Sequence, residues 1–365
     1  MNISQIGFIG LGLIGGSIAK TIKAKYPEIE IIATAGRLST VTAAYEDGVI
    51  SNQTLLDNRD FADCDIIFLC SPVKFNISYL KDLKNIIKPS CLVTDVGSVK
   101  GDITQAAIEY GIDNQFIGGH PMAGAESTGY ANATTTLLEN AYYILTYTDK
   151  MDKQILADFD EFISSLGALT MTMDSKKHDF AVACISHMPH IISASLVSYV
   201  KDADTDGILK TIAAGGFRDI TRISSSSPTM WQHICATNRE EILHAYKLYI
   251  DSLNKFVEAI ENNSEDETYK LFSEAKNYRD NLPVKNTGLL PQAYEFYLDL
   301  EDEAGGIATV ATILARENIN IKNIGIVHNR EFEQGVLRIE TYDQASMDAA
   351  IDTLTDTYKV YTQNK

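Results

Sequence analysis

The segment Gly10-Leu11-Gly12-Leu13-Ile14-Gly15 most constrains the fold, because it stands between an apolar run at residues 3–10 and a helical stretch from Ser17 to Lys25. The first glycine of such a spacing makes a tight turn. The second lets backbone N–H groups approach a phosphate. The third lets the helix lie close to the strand, with the helix N-terminus facing the anion. The spacing alone is weak, and a plain tight turn is the alternative. Directly after a strand and opening a helix, it reads as a dinucleotide-binding turn. Gly10, Gly12, Leu13, Ile14 and Gly15 are therefore expected to face a cofactor. Ser71 and Gly97 join them, since they follow the apolar runs 65–70 and 91–95 and strand ends feed the same crevice.

The same pattern expects an acid about 20 residues on, where it would hold a ribose 2′-hydroxyl. The sequence there is Thr34-Ala35-Gly36-Arg37-Leu38-Ser39-Thr40, with no carboxylate. A guanidinium followed by two hydroxyls suits a 2′-phosphate, which points to NADP. Arg37 stacked on adenine or lying in solvent leaves NAD open.

Strands of four to eight residues alternate with helical segments through residue 173, as in a parallel, doubly wound α/β sheet, and the runs 116–120 and 141–147 extend that pattern. From 174 to 282 helical spacing dominates, with expected helices at 177–201, 205–215, 228–262 and 264–281. Pro283 to Gly288 lies in a linker, 283–290. Residues 291–365 read strand, helix, strand, strand, helix, strand, a ferredoxin-like βαββαβ unit. The expected domains are thus a Rossmann unit (1–173), an all-α unit (174–282) and a ferredoxin-like unit (291–365).

Lys plus Arg total 31 against 49 Asp plus Glu, a net charge of −18. That balance argues against nucleic acid or an anionic membrane as partner, and requires local cations for any anionic substrate. Five cysteines without a C-x-x-C pair read as small core residues in a reducing compartment. No signal peptide and no uninterrupted apolar run of membrane-spanning length is seen, so the expected location is cytoplasmic.

Three further segments carry chemistry: Asp95-Val96-Gly97-Ser98-Val99-Lys100, then Gly118-Gly119-His120-Pro121-Met122-Ala123-Gly124-Ala125-Glu126, and a helical group. That group comprises Ser186-His187-Met188-Pro189-His190, Gly216-Phe217-Arg218-Asp219-Ile220-Thr221-Arg222 and Trp231. His120 should lie at a strand end, where an imidazole can take a hydroxyl proton at neutral pH. Ser98 would hydrogen-bond the reacting hydroxyl or orient the imidazole. Gly118 and Gly119 would let the backbone approach the nicotinamide ring. A loop histidine capping a backbone group is the plainer reading of His120. His187 and His190 share a helix face, which Pro189 should perturb. No carboxylate or thiol at useful spacing joins them as a metal site.

In this order and spacing the segments resemble the prephenate dehydrogenase family, in its form fused to a C-terminal ACT domain, over nearly the whole chain. The resemblance implies oxidative decarboxylation of prephenate to 4-hydroxyphenylpyruvate. His120 would be the base, assisted by Ser98. Arg222 would bind a substrate carboxylate, His190 would contact substrate, and Glu126 and Asp219 would stand at the site mouth. Trp231 would reach the other subunit's site in a homodimer, with a core or interface anchor as the alternative. Ala125 stands where some members carry threonine. The tail would bind L-tyrosine through Asp302, Ala304, Gly305 and Asn320, although Ala304 replaces the usual loop proline. The competing readings are an arogenate dehydrogenase, a non-catalytic dinucleotide and amino-acid sensor, and a β-hydroxyacid or imine reductase.

Overall fold

The computed structural model describes residues 3–124, 128–282, 294–300, 305–327 and 335–362. The chain forms two compact units, Met1–Leu271 and Phe272–Lys365. The 283–290 linker lies outside the described residues.

The first unit opens with β1 (Gln5–Ile9), α1 (Leu13–Lys25), β2 (Glu30–Thr34), α2 (Leu38–Glu46), β3 (Ile66–Leu69), α3 (Val73–Leu83), β4 (Leu92–Asp95), α4 (Gly101–Tyr110) and β5 (Phe116–Pro121). β6 (Tyr142–Thr146), α5 (Lys153–Ser165) and β7 (Leu169–Met173) complete a seven-stranded sheet of order β2-β1-β3-β4-β5-β6-β7. β1 to β5 are parallel. Their apolar runs are continuous because both faces are buried. In β3, Ile66 and Phe68 enter one core while Ile67 and Leu69 enter the other. Phe8 of β1 stacks on Phe68, with centroids 5.0 Å apart. The pattern does not stay parallel as expected. β6 pairs antiparallel with β5, with Gly118 opposite Thr146 and His120 opposite Ile144. β7 was not expected at all: its Leu-Thr-Met-Thr-Met alternation belongs to a half-exposed edge strand.

The helical part comprises α6 (Ser175–Val182), α7 (Met188–Ala203), α8 (Ile208–Ile212), α9 (Gly215–Thr221), α10 (Pro228–Thr237), α11 (Arg239–Glu261) and α12 (Glu265–Asp280). A π-helical turn, Ala183–His187, joins α6 to α7 directly before Pro189. The missing proline N–H and the bulk of its ring account for the widened turn. The expected helix 228–262 is two helices, broken at Asn238. The run 205–215 holds only short α8 and the start of α9. Ser175–Ala203 forms 29 continuous helical residues with a mean hydropathy of 1.5 over its most apolar window. By length and composition alone it could cross a membrane, although Lys177, His178, Asp179, His187, Pro189 and His190 interrupt its apolar run. Only 22% of that window is buried within the protomer.

The second unit contains β8 (Tyr294–Leu300), α13 (Gly306–Arg316), β9 (Asn323–Val327), β10 (Gly335–Thr341), α14 (Gln344–Thr355) and β11 (Val360–Tyr361). Its antiparallel sheet has order β11-β8-β10-β9, which with this chain order is the ferredoxin-like arrangement. Phe296, Leu298 and Leu300 alternate along β8 into a core shared with Val310, Leu314, Leu337, Ile339, Ala350 and Leu354.

Candidate functional site

The glycine turn sits where β1 is flanked by β2 on one side and β3 on the other, the switch point of the sheet. Gly10 has φ +102°, and a Cβ there would lie 2.8 Å from the Cys70 carbonyl. A Cβ on Gly15 would lie 2.6 Å from the Gly10 carbonyl oxygen, so helix and strand pack as expected. Gly12 differs: a Cβ there would meet nothing within 4 Å. It caps α1 without a side-chain hydrogen bond, and the first N–H bonded back into the helix is that of Gly16, to the Gly12 carbonyl at 2.9 Å. The N–H groups of Leu13, Ile14 and Gly15 thus belong to an open helix N-terminus, the usual seat of a phosphate. Beside it lies a cavity of about 300 Å³ lined by Gly10, Thr34, Ala35, Gly36, Leu56, Asp57, Asn58, Ser71 and Tyr79. Ser71 is held by buried Asn76, whose side-chain oxygen accepts the Ser71 N–H (3.1 Å) and whose amide donates to the Leu69 carbonyl (3.1 Å). Arg37 is exposed at the head of α2. These features fit a dinucleotide.

Below this crevice lies a buried polar cluster. The fully buried Asp95 carboxylate, at the end of β4, pairs with the fully buried Lys100 ammonium. It also accepts the N–H groups of Gly97 (2.9 Å) and Gly119 (3.2 Å). Gly118 and Gly119 therefore serve packing: a Cβ at Gly119 would lie 2.5 Å from the Asp95 carbonyl oxygen, and one at Gly118 would collide with Thr146.

His120, in β5, is buried, and its Nδ1 lies 2.8 Å from Nε2 of His178 on α6. His178 Nδ1 in turn lies 2.7 Å from Oδ1 of Asp179. Asp179 accepts the backbone N–H groups of Lys100 (2.8 Å) and Gly101 (2.7 Å), capping α4 from another element. Burial above all, then the charges of His178, Lys100 and His187, holds the His120 imidazole well below the usual histidine range, so it is neutral at pH 7. Asn238, at the break between α10 and α11, donates to the Asp179 carbonyl (2.9 Å) and lies 3.0 Å from His187 Nδ1. Ser98 makes no hydrogen bond to His120; the imidazole is oriented by His178, a residue the sequence reading did not single out.

His190 donates from Nδ1 to the Ser186 carbonyl (2.9 Å) across the π-turn, leaving Nε2 uncommitted among the described residues. Its ring lies on Trp231, centroids 4.1 Å apart, and His187 meets the same indole edge-on at 6.0 Å. The buried Trp231 indole nitrogen has no hydrogen-bond partner among the described residues. Arg222 and Asp219 are exposed, on a turn and helix that pack against α7. No ion pair joins the two. Glu126, Asp302 and Ala304 lie outside the described residues. Gly305, at φ +97°, opens α13, and Asn320 is exposed.

The family model "Prephenate dehydrogenase, nucleotide-binding domain" matches residues 18–172, and "Prephenate dehydrogenase, dimerization domain" matches residues 174–274. A prephenate dehydrogenase of Bacillus subtilis (strain 168) is 38% identical over 333 residues, covering 90% of each chain. The crystal structure of the Aquifex aeolicus prephenate dehydrogenase with hydroxyphenyl propionate and NAD+ superposes with a TM-score of 0.72 at 30% identity. That match covers 78% of this chain and 99% of the other. The Synechocystis arogenate dehydrogenase gives a TM-score of 0.70 at 32% identity, over 76% and 99%. With both family models matched in sequence order and a relative aligned over nine-tenths of its length, the chain belongs to the prephenate dehydrogenase family.

Proposed function

We propose that the chain oxidatively decarboxylates prephenate to 4-hydroxyphenylpyruvate, using a nicotinamide dinucleotide held at the Gly10–Gly15 turn. The observation that carries this reading is the buried, neutral imidazole of His120, whose Nε2 is uncommitted among the described residues. When bound, the oxidised nicotinamide supplies the hydride acceptor. His120 Nε2 takes the C4 hydroxyl proton, and Ser98 hydrogen-bonds the same oxygen. The C1–carboxylate bond breaks, its electron pair completes the aromatic ring, and carbon dioxide leaves. His120 can then return the proton to the phenol oxygen. Arg222 binds a carboxylate of the dianionic substrate, for which a planar, bidentate donor is suited. His190 contacts substrate, with Asp219, Glu126 and Trp231 at the site margin; the unpartnered indole N–H offers a further donor.

Exposed Arg37 and the lack of an acid at Ala35 support NADP, with NAD the alternative. A second copy of the chain covers the apolar surface left by α7 and α11, on which Tyr199 is 69% and Ile260 68% exposed. Five free cysteines support a reducing, cytoplasmic setting. The 291–365 unit acts as an ACT-type module for L-tyrosine, a reading supported by the strand order of its described residues and by Gly305 opening α13.

The test is incubation with prephenate or arogenate and each oxidised cofactor, following the reduced-nicotinamide absorbance. Turnover of prephenate is expected. Turnover of arogenate alone would assign the chain the other substrate, and no turnover of either would overturn the reading.

A further inference from the structure

The Asp179 carboxylate accepts two backbone N–H groups at the head of α4 and faces His178 Nδ1. A carboxylate with that set of neighbours only accepts, so His178 carries its proton on Nδ1. Its Nε2 is then an acceptor, and the 2.8 Å contact requires His120 to donate from Nδ1. Neutral His120 is left with Nε2 as its basic nitrogen. All three side chains are buried, and the neighbouring Lys100 charge is matched by Asp95. Asp179 is the carboxylate in direct contact with the imidazole pair.

We propose that His178 and Asp179 are positioning residues for His120, fixing it as the Nδ1–H tautomer and receiving the positive charge when its Nε2 takes the substrate proton. The step balances. The O–H bond of the substrate breaks and N–H forms at His120 Nε2. The Nδ1 proton moves to His178 Nε2, so that an imidazolium stands against Asp179. The reverse transfers return the proton. Other groups facing the chain are His187 on the π-turn, Lys100 and Asp95 from the β4–α4 segment, and Asp102 near Asp179, itself facing Lys74 and Glu240. None of these intervenes in the two contacts. The inference rests on His120 being the base.

Asp179 also caps α4, so loss of activity alone would not distinguish positioning from structure. In Asp179→Asn the amide oxygen can keep the Gly101 N–H while its NH2, at the Oδ1 position, faces His178 and gives up the Lys100 N–H. Both imidazoles then reverse tautomer, and His120 Nε2 is protonated. Nitrogen-15 histidine NMR should show Nδ1–H forms for both in the wild type and Nε2–H forms in Asp179→Asn. The kcat should fall by about 10²–10⁴ with KM nearly unchanged. The acid limb of the kcat profile should move to lower pH, since the charge that favours an imidazolium is gone. If Asp179→Asn does not fold, His178→Gln, which keeps an acceptor for the His120 N–H, should retain more activity than His178→Phe. Unchanged tautomers and pH limb in Asp179→Asn, or equal rates in the two His178 variants, would overturn the proposal. His120→Asn is the control: near-normal turnover there would remove the base assignment itself, whereas its loss beside a normal Asp179→Asn would remove only the relay.

Discussion

Lowering the pH from 7 to 4 should cost the fold about 3 kcal/mol through the single side chain His187. Its ring is 2% exposed. Burial, opposed by the Asp179 charge and reinforced by those of His178 and His190, pushes its pKa from 6.5 down to about 4. Nδ1 receives the Asn238 amide at 3.0 Å, a bond that protonation would destroy. Above pH 6.5 the imidazole is neutral folded and unfolded, and the stability is fully present. Between 6.5 and 4 the unfolded chain binds a proton that the folded chain refuses, so stability is lost as the pH falls. A displacement of about 2.5 units at 1.36 kcal/mol each gives the 3 kcal/mol. Carboxylates titrate in the same range, so the quantity to measure is a difference. Urea unfolding of the wild type and His187→Gln should be compared at pH 7, 6, 5 and 4. The variant should be less stable at pH 7, and the gap should close by about 3 kcal/mol toward pH 4. A gap independent of pH would mean that His187 protonates freely in the folded state and that the burial argument fails.

Arg222→Ala should raise KM for prephenate with a smaller effect on kcat, because the charged contact exists before and during reaction; steady-state kinetics showing the reverse would count against the assignment. Arg37→Ala should weaken NADP more than NAD, and Ala35→Asp should favour NAD by accepting ribose hydroxyls and repelling phosphate. Equal losses in a titration with both cofactors would point to adenine stacking instead. Deleting residues from 289 onward should leave turnover intact, since the Aquifex chain is matched over 99% of its length by 78% of this one. The same deletion should abolish inhibition by L-tyrosine; inhibition that survives would put tyrosine at the Arg222 site. Sedimentation at micromolar concentration should show a dimer, and a monomer would leave the apolar face of α7 unexplained.

The parts of the fold visible in the sequence are those carried by local signals. The glycine turn, the buried strands β1, β3 and β4, and the βαββαβ order of the tail each depend on residues close in the chain. Strand direction is not local: Gly118-Gly119-His120 and Tyr142–Thr146 are both apolar runs, and nothing in either says that they pair antiparallel. The helix break at Asn238 was hidden because apolar periodicity continues on both sides. What stops the helix is a side chain committed to Asp179 and His187, 59 and 51 residues away. The site divides in the same way. The placement of His120 in a buried strand was legible, because an apolar run and two glycines lead into it. His178 and Asp179 sit in Ser-Lys-Lys-His-Asp-Phe, which reads as the polar first turn of a helix. Only the fold brings them against residues 58 and 79 positions earlier. An ionisable pair just after a domain-like change of pattern, at 174, was the one available hint.

The buried charges explain why this arrangement is tolerable in a protein of net charge −18. An isolated ion in such a place would cost several kcal/mol. Here Lys100 and Asp95 neutralise each other, and Asp95 spends its remaining acceptor sites on two backbone N–H groups. Asp179 faces His178 and takes two N–H groups at the positive end of α4. Both buried carboxylates are thus partly satisfied by backbone donors. Burial holds the His120 imidazole well below the usual histidine range, whereas Asp179, reached through His178, is the charge proposed to stabilise it once protonated. The two are separable by mutation, and the base proposed here needs both to take up a proton and give it back in one turnover.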